Sequence, residues 1–160
     1  MRTHWCGELR RAHVGLQVSL CGWVARRREH GEHLAFVDLR DRTGITQCVV
    51  DHAHDLRSEF VVRITGTVRD RPPGTVNEKL PTGEVELGDC DVEVLSVAEP
   101  PPFPIDGRAD DVDEIVRLRH RYLDLRRDRM QRNLAIRATV NSAIRASFER
   151  QGFVEVETPM

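Results

Sequence analysis

Phe36 and Gln47 are the two side chains of this sequence that best suit recognition chemistry. From residue 34 to residue 40 apolar and polar side chains alternate, which predicts a strand with Phe36 on its polar face. If the turn at residues 41–44 sets the register of the next strand, Gln47 lies diagonally beside the ring. Such a platform can stack a nucleic-acid base, at roughly 1 to 3 kcal/mol per base, while the amide reads the base edge. The alternative is that a one-residue slip buries Phe36 under a loop.

Two groups of polar side chains flank this platform in the predicted fold. Residues 26–28 are three consecutive arginines at the end of the first predicted strand, where they could hold phosphates or simply be solvated. Arg69, Arg71 and Asn77 flank the loop between the last two strands. Small five-stranded barrels bind single-stranded nucleic acid with these two regions, so both groups are candidates for that role.

Local motifs for catalysis are absent from the sequence. There is no Gly-x-x-x-x-Gly-Lys-Ser/Thr loop, no Gly-x-Gly-x-x-Gly fingerprint and no serine elbow. The 7 histidines are dispersed, with only His52 and His54 close together, and the 4 cysteines form no Cys-x-x-Cys pair. We therefore expect reduced, packed thiols, no metal site and no catalytic residue in this segment.

Composition excludes two broad classes of protein. The chain has 160 residues, of which 39% are hydrophobic and 31% charged, with a net charge of −2, so it is neither a disordered polyampholyte nor a membrane protein. No stretch reaches the ~18 to 20 apolar residues that span a membrane, and no apolar signal core follows Met1. A cytoplasmic location is expected.

Five predicted strands define the fold class. They cover residues 17–25, 34–40, 45–50, 60–69 and 84–97, the last being one strand or a bent pair, and residues 26–28 lead from the first strand into a loop at 29–33. A polar, helix-sized gap at 51–59 separates the third strand from the fourth. The pattern favours a mainly β fold, a five-stranded Greek-key barrel of the OB type, over an immunoglobulin sandwich, which needs about seven strands.

A proline-rich stretch separates the barrel from a helical segment. Four prolines between residues 98 and 104 predict a stiff, extended linker. We therefore divide the chain into a barrel at 1–99, a hinge at 100–116 and the start of an α+β domain at 117–160. In the last part we predict an amphipathic helix at 130–150, stopped by Gly152, and then a strand at 153–157.

Several segments carry a family resemblance: residues 6–10, 22–28, 36–41, 82–86 and, most specifically, 119–127, Arg-His-Arg-Tyr-Leu-Asp-Leu-Arg-Arg. They resemble the bacterial type of aspartyl-tRNA synthetase, a class II aminoacyl-tRNA synthetase. Residues 152–159 resemble the first class II signature, which builds the dimer interface in that family. The resemblance implies an anticodon-binding barrel, a hinge and the beginning of a catalytic domain.

The resemblance also implies roles for individual side chains. Phe36 matches the aromatic residue on which the central anticodon base stacks, and Gln47 and Glu86 match polar readers of the anticodon bases. The full set with an implied anticodon-binding role is Arg28, Phe36, Gln47, Arg69, Arg71, Asn77 and Glu86.

His30 and Gly74 bear on the range of tRNA substrates. A histidine and a glycine at these places resemble enzymes that charge both tRNA(Asp) and tRNA(Asn), whereas larger residues accompany strict discrimination. Smaller side chains could remove a clash with the third anticodon base, in which the two tRNAs differ. The alternative is that both residues merely serve their loops.

For the whole enzyme the resemblance implies aspartate-tRNA ligase activity. L-aspartate is activated with ATP and Mg²⁺ and passed to tRNA(Asp), and by the same argument to tRNA(Asn). The sites for ATP and aspartate are expected beyond Met160, so this segment should bind tRNA but no cofactor. Phe153 and Pro159 are expected at the interface of a homodimer.

Two other functions remain open from the sequence. A stand-alone OB module that binds single-stranded nucleic acid would share the barrel, although it would not need the segment from residue 117 to residue 159. Asparaginyl- and lysyl-tRNA synthetases share both the barrel and, for the lysine group, the neighbourhood of Tyr122.

Overall fold

The computed structural model describes residues 1–31, 33–51, 55–105 and 111–159. Within these ranges the strands are β1 (Gln17–His30), β2 (Leu34–Arg40), β3 (Ile45–Asp51), β4 (Val61–Asp70) and β5 (Val85–Ser96). The α-helices are α1 (Glu114–Arg119), α2 (Arg121–Asp124) and α3 (Asp128–Arg150), and single 3-10 turns span Cys6–Glu8 and Arg11–His13. The chain divides into two compact units, Met1–Pro100 and Pro101–Met160.

The strands close into a barrel in the order β1-β2-β3-β5-β4. Neighbouring strands are antiparallel except β3 and β5, which are parallel. This is the five-stranded OB-type barrel predicted from the sequence. The predicted register between β2 and β3 is also confirmed, because Phe36 lies opposite Val49 and Asp38 lies opposite Gln47.

Apolar side chains on the inward strand faces fill the barrel. The side chains of Val18, Leu20, Val37, Ile64 and Leu87 are at most 1% exposed. Burial of a side chain of this size stabilises a fold by about 1.5 to 3 kcal/mol. The core therefore determines which face of each strand points outward.

A β-bulge in β1 determines the direction of its arginines. The pairing with β2 shifts between Val24 and Arg26, so Ala25 is an extra residue in β1. Beyond the bulge Arg28 pairs directly with Phe36 and therefore shares its outward face. Uninterrupted alternation from the buried Val24 would have pointed Arg28 into the core.

The predicted end of the first strand is wrong. Residues 26–28 do not lead into a loop at 29, because β1 continues to His30. Its ladder with β2 extends to the pair His30 and Leu34, and this pairing satisfies backbone groups that a loop would leave to solvent. Position 32 of the connection lies outside the described residues.

A second bulge lies in β5. The register between β4 and β5 shifts between Thr65 and Thr67, near Asp89, whose φ is +51°. Leu87 faces the core before the bulge, and Val92 packs against it after the bulge. The inward face thus changes from odd-numbered to even-numbered residues, which a strict period of two does not allow.

The carboxylate of Asp41 joins the N-terminal segment to the turn between β2 and β3. It accepts hydrogen bonds from the backbone N–H of Cys6 at 2.7 Å and from the N–H and hydroxyl of Thr43 at 2.7 and 2.6 Å. Burial acts to raise the pKa of Asp41, but the hydrogen bonds from Thr43 and Cys6 outweigh it, and the pKa is lowered. The ionised carboxylate is therefore the form that stabilises this turn.

A buried carboxylate organises the segment between α1 and α3. Asp124 has no exposed surface and accepts hydrogen bonds from Arg121 at 2.5 Å and Arg127 at 3.0 Å, while Arg117 lies 3.9 Å away. Three arginines of this segment therefore surround one carboxylate. A buried carboxylate needs such partners, because desolvation disfavours an isolated charge.

Helix α3 ends in a Schellman motif, and the predicted stop at Gly152 is confirmed. Gly152 has a φ of +82° and donates its N–H to the carbonyl of Glu149 at 3.0 Å, and Phe153 donates to Phe148 at 3.1 Å. The rings of Phe148 and Phe153 pack edge to face at 5.3 Å. This contact completes the motif.

The strand predicted at residues 153–157 is wrong. A strand needs a neighbour for its backbone hydrogen bonds, and within the described ranges residues 153–159 pair with no strand. Apolar side chains of α3 and of the segment after it are exposed, namely Leu134, Ile136, Val140, Ile144, Phe148, Phe153, Val154 and Val156.

Other expectations concern the connections. Residues 97–105 contain no helix or strand, as the prolines predict, but α1 begins at Glu114, inside the predicted hinge. Residues 55–59 form turns and no helix. Residues 52–54, with His52 and His54, and residues 106–110 of the hinge lie outside the described ranges. None of the helices described here is long and apolar enough to cross a membrane.

Candidate functional site

One cleft on the outside of the barrel brings the predicted anticodon-binding residues together. It has a volume of about 460 Å³. Its lining includes Arg28, Phe36, Gln47, Arg69, Arg71, Asn77, Glu86 and His30. All five strands and the loop between β4 and β5 supply these side chains, so the cleft forms only when the barrel closes.

Phe36 lies on the outer face of β2, half-buried and outside the hydrophobic core. The His30 ring lies 5.4 Å from it between centroids, with a tilt of 58°, and the Arg28 guanidinium carbon lies 5.9 Å from the ring centroid. The outward position predicted from strand alternation is confirmed, and the register slip that would have buried the ring does not occur. An aromatic ring beside a cation is suited to stacking a base.

A chain of hydrogen bonds crosses the cleft floor. Arg28 Nη2 donates to Asp38 Oδ1 at 2.9 Å and to Gln47 Oε1 at 3.1 Å. Gln47 Nε2 donates to Glu86 Oε2 at 2.9 Å, and Arg69 Nε donates to Glu86 Oε1 at 3.0 Å. Each strand of the barrel contributes one of these side chains. We refer to this chain, made of Asp38, Arg28, Gln47, Glu86 and Arg69, as the polar network.

The polar network fixes the orientation of the Gln47 amide. Its oxygen faces the Arg28 cation and its nitrogen faces the Glu86 carboxylate, so the reversed orientation would place like groups together. Glu86 is only 2% exposed, and its two hydrogen bonds compensate for the burial of its charge. With Arg71, three guanidinium groups face the two carboxylates of the network, which leaves an excess of positive charge suited to phosphates.

Arg71 stabilises the loop between β4 and β5 from inside. It is 8% exposed, and it donates from Nε to the carbonyl of Val85 at 3.2 Å and from Nη1 to that of Thr75 at 3.5 Å. Burial lowers the pKa of Arg71, while the charges of Glu86 and Asp38 oppose this shift. Guanidinium stays protonated in proteins, so Arg71 holds the loop at the cleft edge as a cation.

The loop itself has a tight backbone contact that positions Asn77. The backbone N–H of Asn77 donates to the carbonyl of Gly83 at 3.1 Å. The side-chain Oδ1 of Asn77 accepts from the N–H of Lys79 at 3.1 Å. A Cβ on Gly83 would lie 1.9 Å from the Asn77 carbonyl oxygen. Only glycine fits at this position.

Gly74 is not among the residues that line the cleft. Its φ is +81°, and the N–H of Thr75 donates to the carbonyl of Pro72 at 3.0 Å, so Gly74 serves a tight turn. An added Cβ there would meet no described atom within 4 Å. The structure brings His30, but not Gly74, into contact with the predicted site residues.

Two residues that contact the cleft arginines were missed by the sequence interpretation. Asp38 holds Arg28 through an ion pair of 2.9 Å, and its place in the strand two residues after Phe36, opposite Gln47, could have identified it. Gly88 lies against Arg69, and the signal that could have found it is a glycine inside a predicted strand, which often marks the close approach of another group.

In the second unit, an apolar groove lies at the end of α3. It has a volume of about 640 Å³, and its lining includes Ile144, Phe148, Phe153 and Val154. Pro159 is exposed but does not line the groove. Exposed apolar surface of this kind suits a protein contact.

No metal centre can be assigned within the described ranges. Their His, Cys, Asp and Glu residues form no group of three or more that could hold a metal ion. The cysteines are free, with Cys6 and Cys48 buried, and burial is the largest cause that raises the pKa of the Cys6 thiol. These thiols are packing residues of the barrel.

Comparisons with known proteins connect this geometry to a family. Residues 18–95 match the family model described as OB-fold nucleic acid binding domain, and residues 113–160 match tRNA synthetases class II (D, K and N). An aspartate-tRNA(Asp/Asn) ligase of Moorella thermoacetica is 52% identical over 99% of this chain. Over nearly its whole length the chain is therefore similar to an aspartyl-tRNA synthetase of class II. Another aspartate-tRNA(Asp/Asn) ligase, from Thermodesulfovibrio yellowstonii, is 48% identical over the same share.

Solved structures of this class have the same fold. Asparaginyl-tRNA synthetase from Pyrococcus horikoshii, complexed with asparaginyl-adenylate, is 26% identical, with a TM-score of 0.77 over 98% of this chain and 36% of that one. Aspartyl-tRNA synthetase from Entamoeba histolytica, 23% identical, has a TM-score of 0.79 over 93% of this chain and 37% of that one.

The match to a synthetase family confirms the resemblance and the fold class predicted from the sequence. Because the second family model covers residues 113–160, a stand-alone barrel module is disfavoured. Both relatives of high identity are named as aspartate-tRNA(Asp/Asn) ligases. The chain spans 28% of the length of these two relatives.

Proposed function

We propose that the barrel reads the anticodon of tRNA(Asp). The cleft supports this proposal most directly, since it combines an outward aromatic ring, a fixed amide and an excess of guanidinium groups. Phe36 stacks the central anticodon base, and Gln47 and Glu86 present hydrogen-bonding groups to the base edges. Arg28, Arg69 and other polar residues of the cleft then contact the phosphates and ribose of the loop.

We further propose that tRNA(Asn) binds at the same cleft. The relatives that are 52% and 48% identical are named as ligases for tRNA(Asp/Asn). His30 supports this proposal because it contacts Phe36 and so lies where the neighbouring base would pass. Gly74 contributes by leaving open space on the turn beside the cleft.

For the whole protein we propose aspartate-tRNA ligase activity. L-aspartate and ATP, with Mg²⁺, form aspartyl-adenylate and pyrophosphate, and the aspartyl group then passes to the terminal adenosine of tRNA with release of AMP. No residue described here is assigned to those steps. We place the enzyme in the cytoplasm as a homodimer, with Phe153 and Pro159 at its interface.

Binding of the chain to labelled anticodon stem-loops of tRNA(Asp), tRNA(Asn) and tRNA(Lys) at fixed salt tests these proposals. The expected result is equal binding of the aspartate and asparagine loops and weak binding of the lysine loop. Binding of the aspartate loop alone would overturn the tRNA(Asn) proposal but keep the first one.

Two other results would favour the competing functions. A preference for the lysine loop would indicate a lysyl-type enzyme. Equal binding of all three loops and of an unrelated single strand would indicate a general nucleic-acid module.

A further inference from the structure

We propose that Gly88 is a positioning residue for RNA binding, because the absence of a side chain there lets Arg69 lie against β5 in the cleft. The inference rests on the proposed anticodon function. It concerns a backbone position that itself offers no side-chain group to the RNA.

The strand pairing places the three residues involved on one face. Arg69 of β4 lies directly opposite Glu86 of β5, and Gly88 follows two positions later in β5. Residues two apart in a strand share a face, so Gly88 lies beside Glu86 on the outside of the barrel. Arg69 extends across this face to donate its Nε–H to Glu86 at 3.0 Å.

The guanidinium of Arg69 occupies the volume that a side chain at Gly88 would need. A Cβ built on Gly88 would lie 2.7 Å from Arg69 Nη1 and 2.8 Å from both its Cζ and its Nε. Carbon and nitrogen atoms that are not bonded do not approach this closely, so one group must move. The nearest atoms all belong to the end of one flexible side chain, and therefore Arg69 moves rather than the backbone.

Movement of Arg69 has a specific consequence for the polar network. Its Nε is among the displaced atoms, so Glu86 loses one of its two hydrogen bonds while its bond with Gln47 remains. The Arg69 side chain is 47% exposed and can turn into solvent. An added methyl group should therefore cost no more folding stability than Arg69→Ala, because both changes remove the same hydrogen bond from Glu86.

The test compares the unsubstituted chain with Gly88→Ala, Arg69→Ala and the double variant, using the tRNA(Asp) anticodon stem-loop as probe. Gly88→Ala should weaken binding about three- to tenfold and should lower the melting temperature no more than Arg69→Ala does. It should also make the negative slope of log binding constant against log salt concentration shallower by roughly 0.7 to 1. Arg69→Ala should have the same effect. The double variant should bind no worse than Arg69→Ala, because both changes remove the same contact.

Other results would overturn the inference. Unchanged binding in Gly88→Ala would do so, as would losses that multiply in the double variant. If Gly88→Ala fails to fold, recovery of folding in the double variant supports a clash with Arg69, and continued unfolding overturns it.

A readout without RNA separates this inference from the proposed function. The Arg69 Nε–H resonance should move, in Gly88→Ala, from a hydrogen-bonded to a solvent-exposed position. A resonance that does not move overturns the positioning role of Gly88 alone. Failure of the unsubstituted chain to bind any stem-loop would instead overturn the proposed function, and with it the part of the inference that concerns RNA.

Discussion

The amide nitrogen of Gln47 donates a 2.9 Å hydrogen bond to Glu86, which lies 39 residues later in the chain. The bond connects β3 to β5, which are parallel neighbours in the barrel. Arg28 donates to the oxygen of the same amide, so Gln47 is held at both ends. An amide held in this way presents its remaining donor and acceptor in a fixed direction, which reduces the entropy lost when a base binds.

Substitution of Phe36 should separate stacking from simple apolar contact. Phe36→Ala should weaken stem-loop binding by about 1 to 3 kcal/mol, which corresponds to about 5- to 150-fold in Kd. Phe36→Tyr should retain binding, whereas Phe36→Leu, which keeps apolar bulk but has no ring, should lose most of it. Fluorescence anisotropy at fixed salt measures all three. Normal binding by Phe36→Leu would contradict base stacking.

Neutralising Glu86 should destabilise the barrel. Glu86→Gln keeps the shape of the side chain but removes the charge that accepts from Arg69 and Gln47, and we expect a loss of about 1 to 3 kcal/mol in the free energy of unfolding. Urea denaturation measures this loss.

A matched control for Glu86→Gln is Glu93→Gln. Glu93 forms an ion pair with Arg63 across the same two strands, but in a more exposed position. Its loss should stay below about 0.5 kcal/mol, because surface ion pairs contribute little. Equal losses in the free energy of unfolding would show that burial does not make the contribution of Glu86 larger than that of an exposed glutamate.

The lowered pKa of Asp41 predicts a pH-dependent contribution to stability. A carboxyl whose pKa is lower in the folded state stabilises the fold above its unfolded pKa of about 3.9, and this stabilisation is lost as the pH falls through the folded pKa. The wild type should therefore be more stable than Asp41→Asn at pH 7, and the difference should shrink below about pH 4. Urea midpoints measured from pH 7 to pH 2 test this prediction.

Thr43→Ala provides the graded control for Asp41. It removes the hydroxyl, which donates to Asp41 and accepts from the N–H of Gly7 at 2.8 Å, but leaves the N–H groups of Cys6 and Thr43 in place. Its stability curve should lie between those of the wild type and Asp41→Asn. A difference between wild type and Asp41→Asn that does not change with pH would contradict the linkage.

The exposed apolar groove of α3 predicts self-association of the chain. Ile144, Phe148 and Phe153 line this groove, and association would remove their apolar surface from water. Sedimentation should show a mass that rises with concentration, and Ile144→Asp should shift the chain toward monomer. Ser142→Asp, an exposed change on another face of α3, should leave association unchanged. A monomer at high concentration would contradict this prediction.

The sequence by itself determined the centre of the candidate site. The alternation from residue 34 to residue 40 and the short turn after it were sufficient to place Phe36 outward with Gln47 diagonal to it, as found. This worked because a strand has a period of two and a short turn leaves few registers for the next strand. The stop of α3 at Gly152 was predictable for a similar local reason.

Only the tertiary structure decided how the arginines of that site are positioned and held. Arg28 faces Phe36 because Ala25 is inserted in β1, and Arg69 lies against Gly88 because the pairing of β4 with β5 places Arg69 opposite Glu86. A bulge depends on how a strand pairs with neighbours that are distant in sequence, so no local period records it. The strand predicted after α3 failed for the same reason, since a strand exists only where a partner accepts its hydrogen bonds.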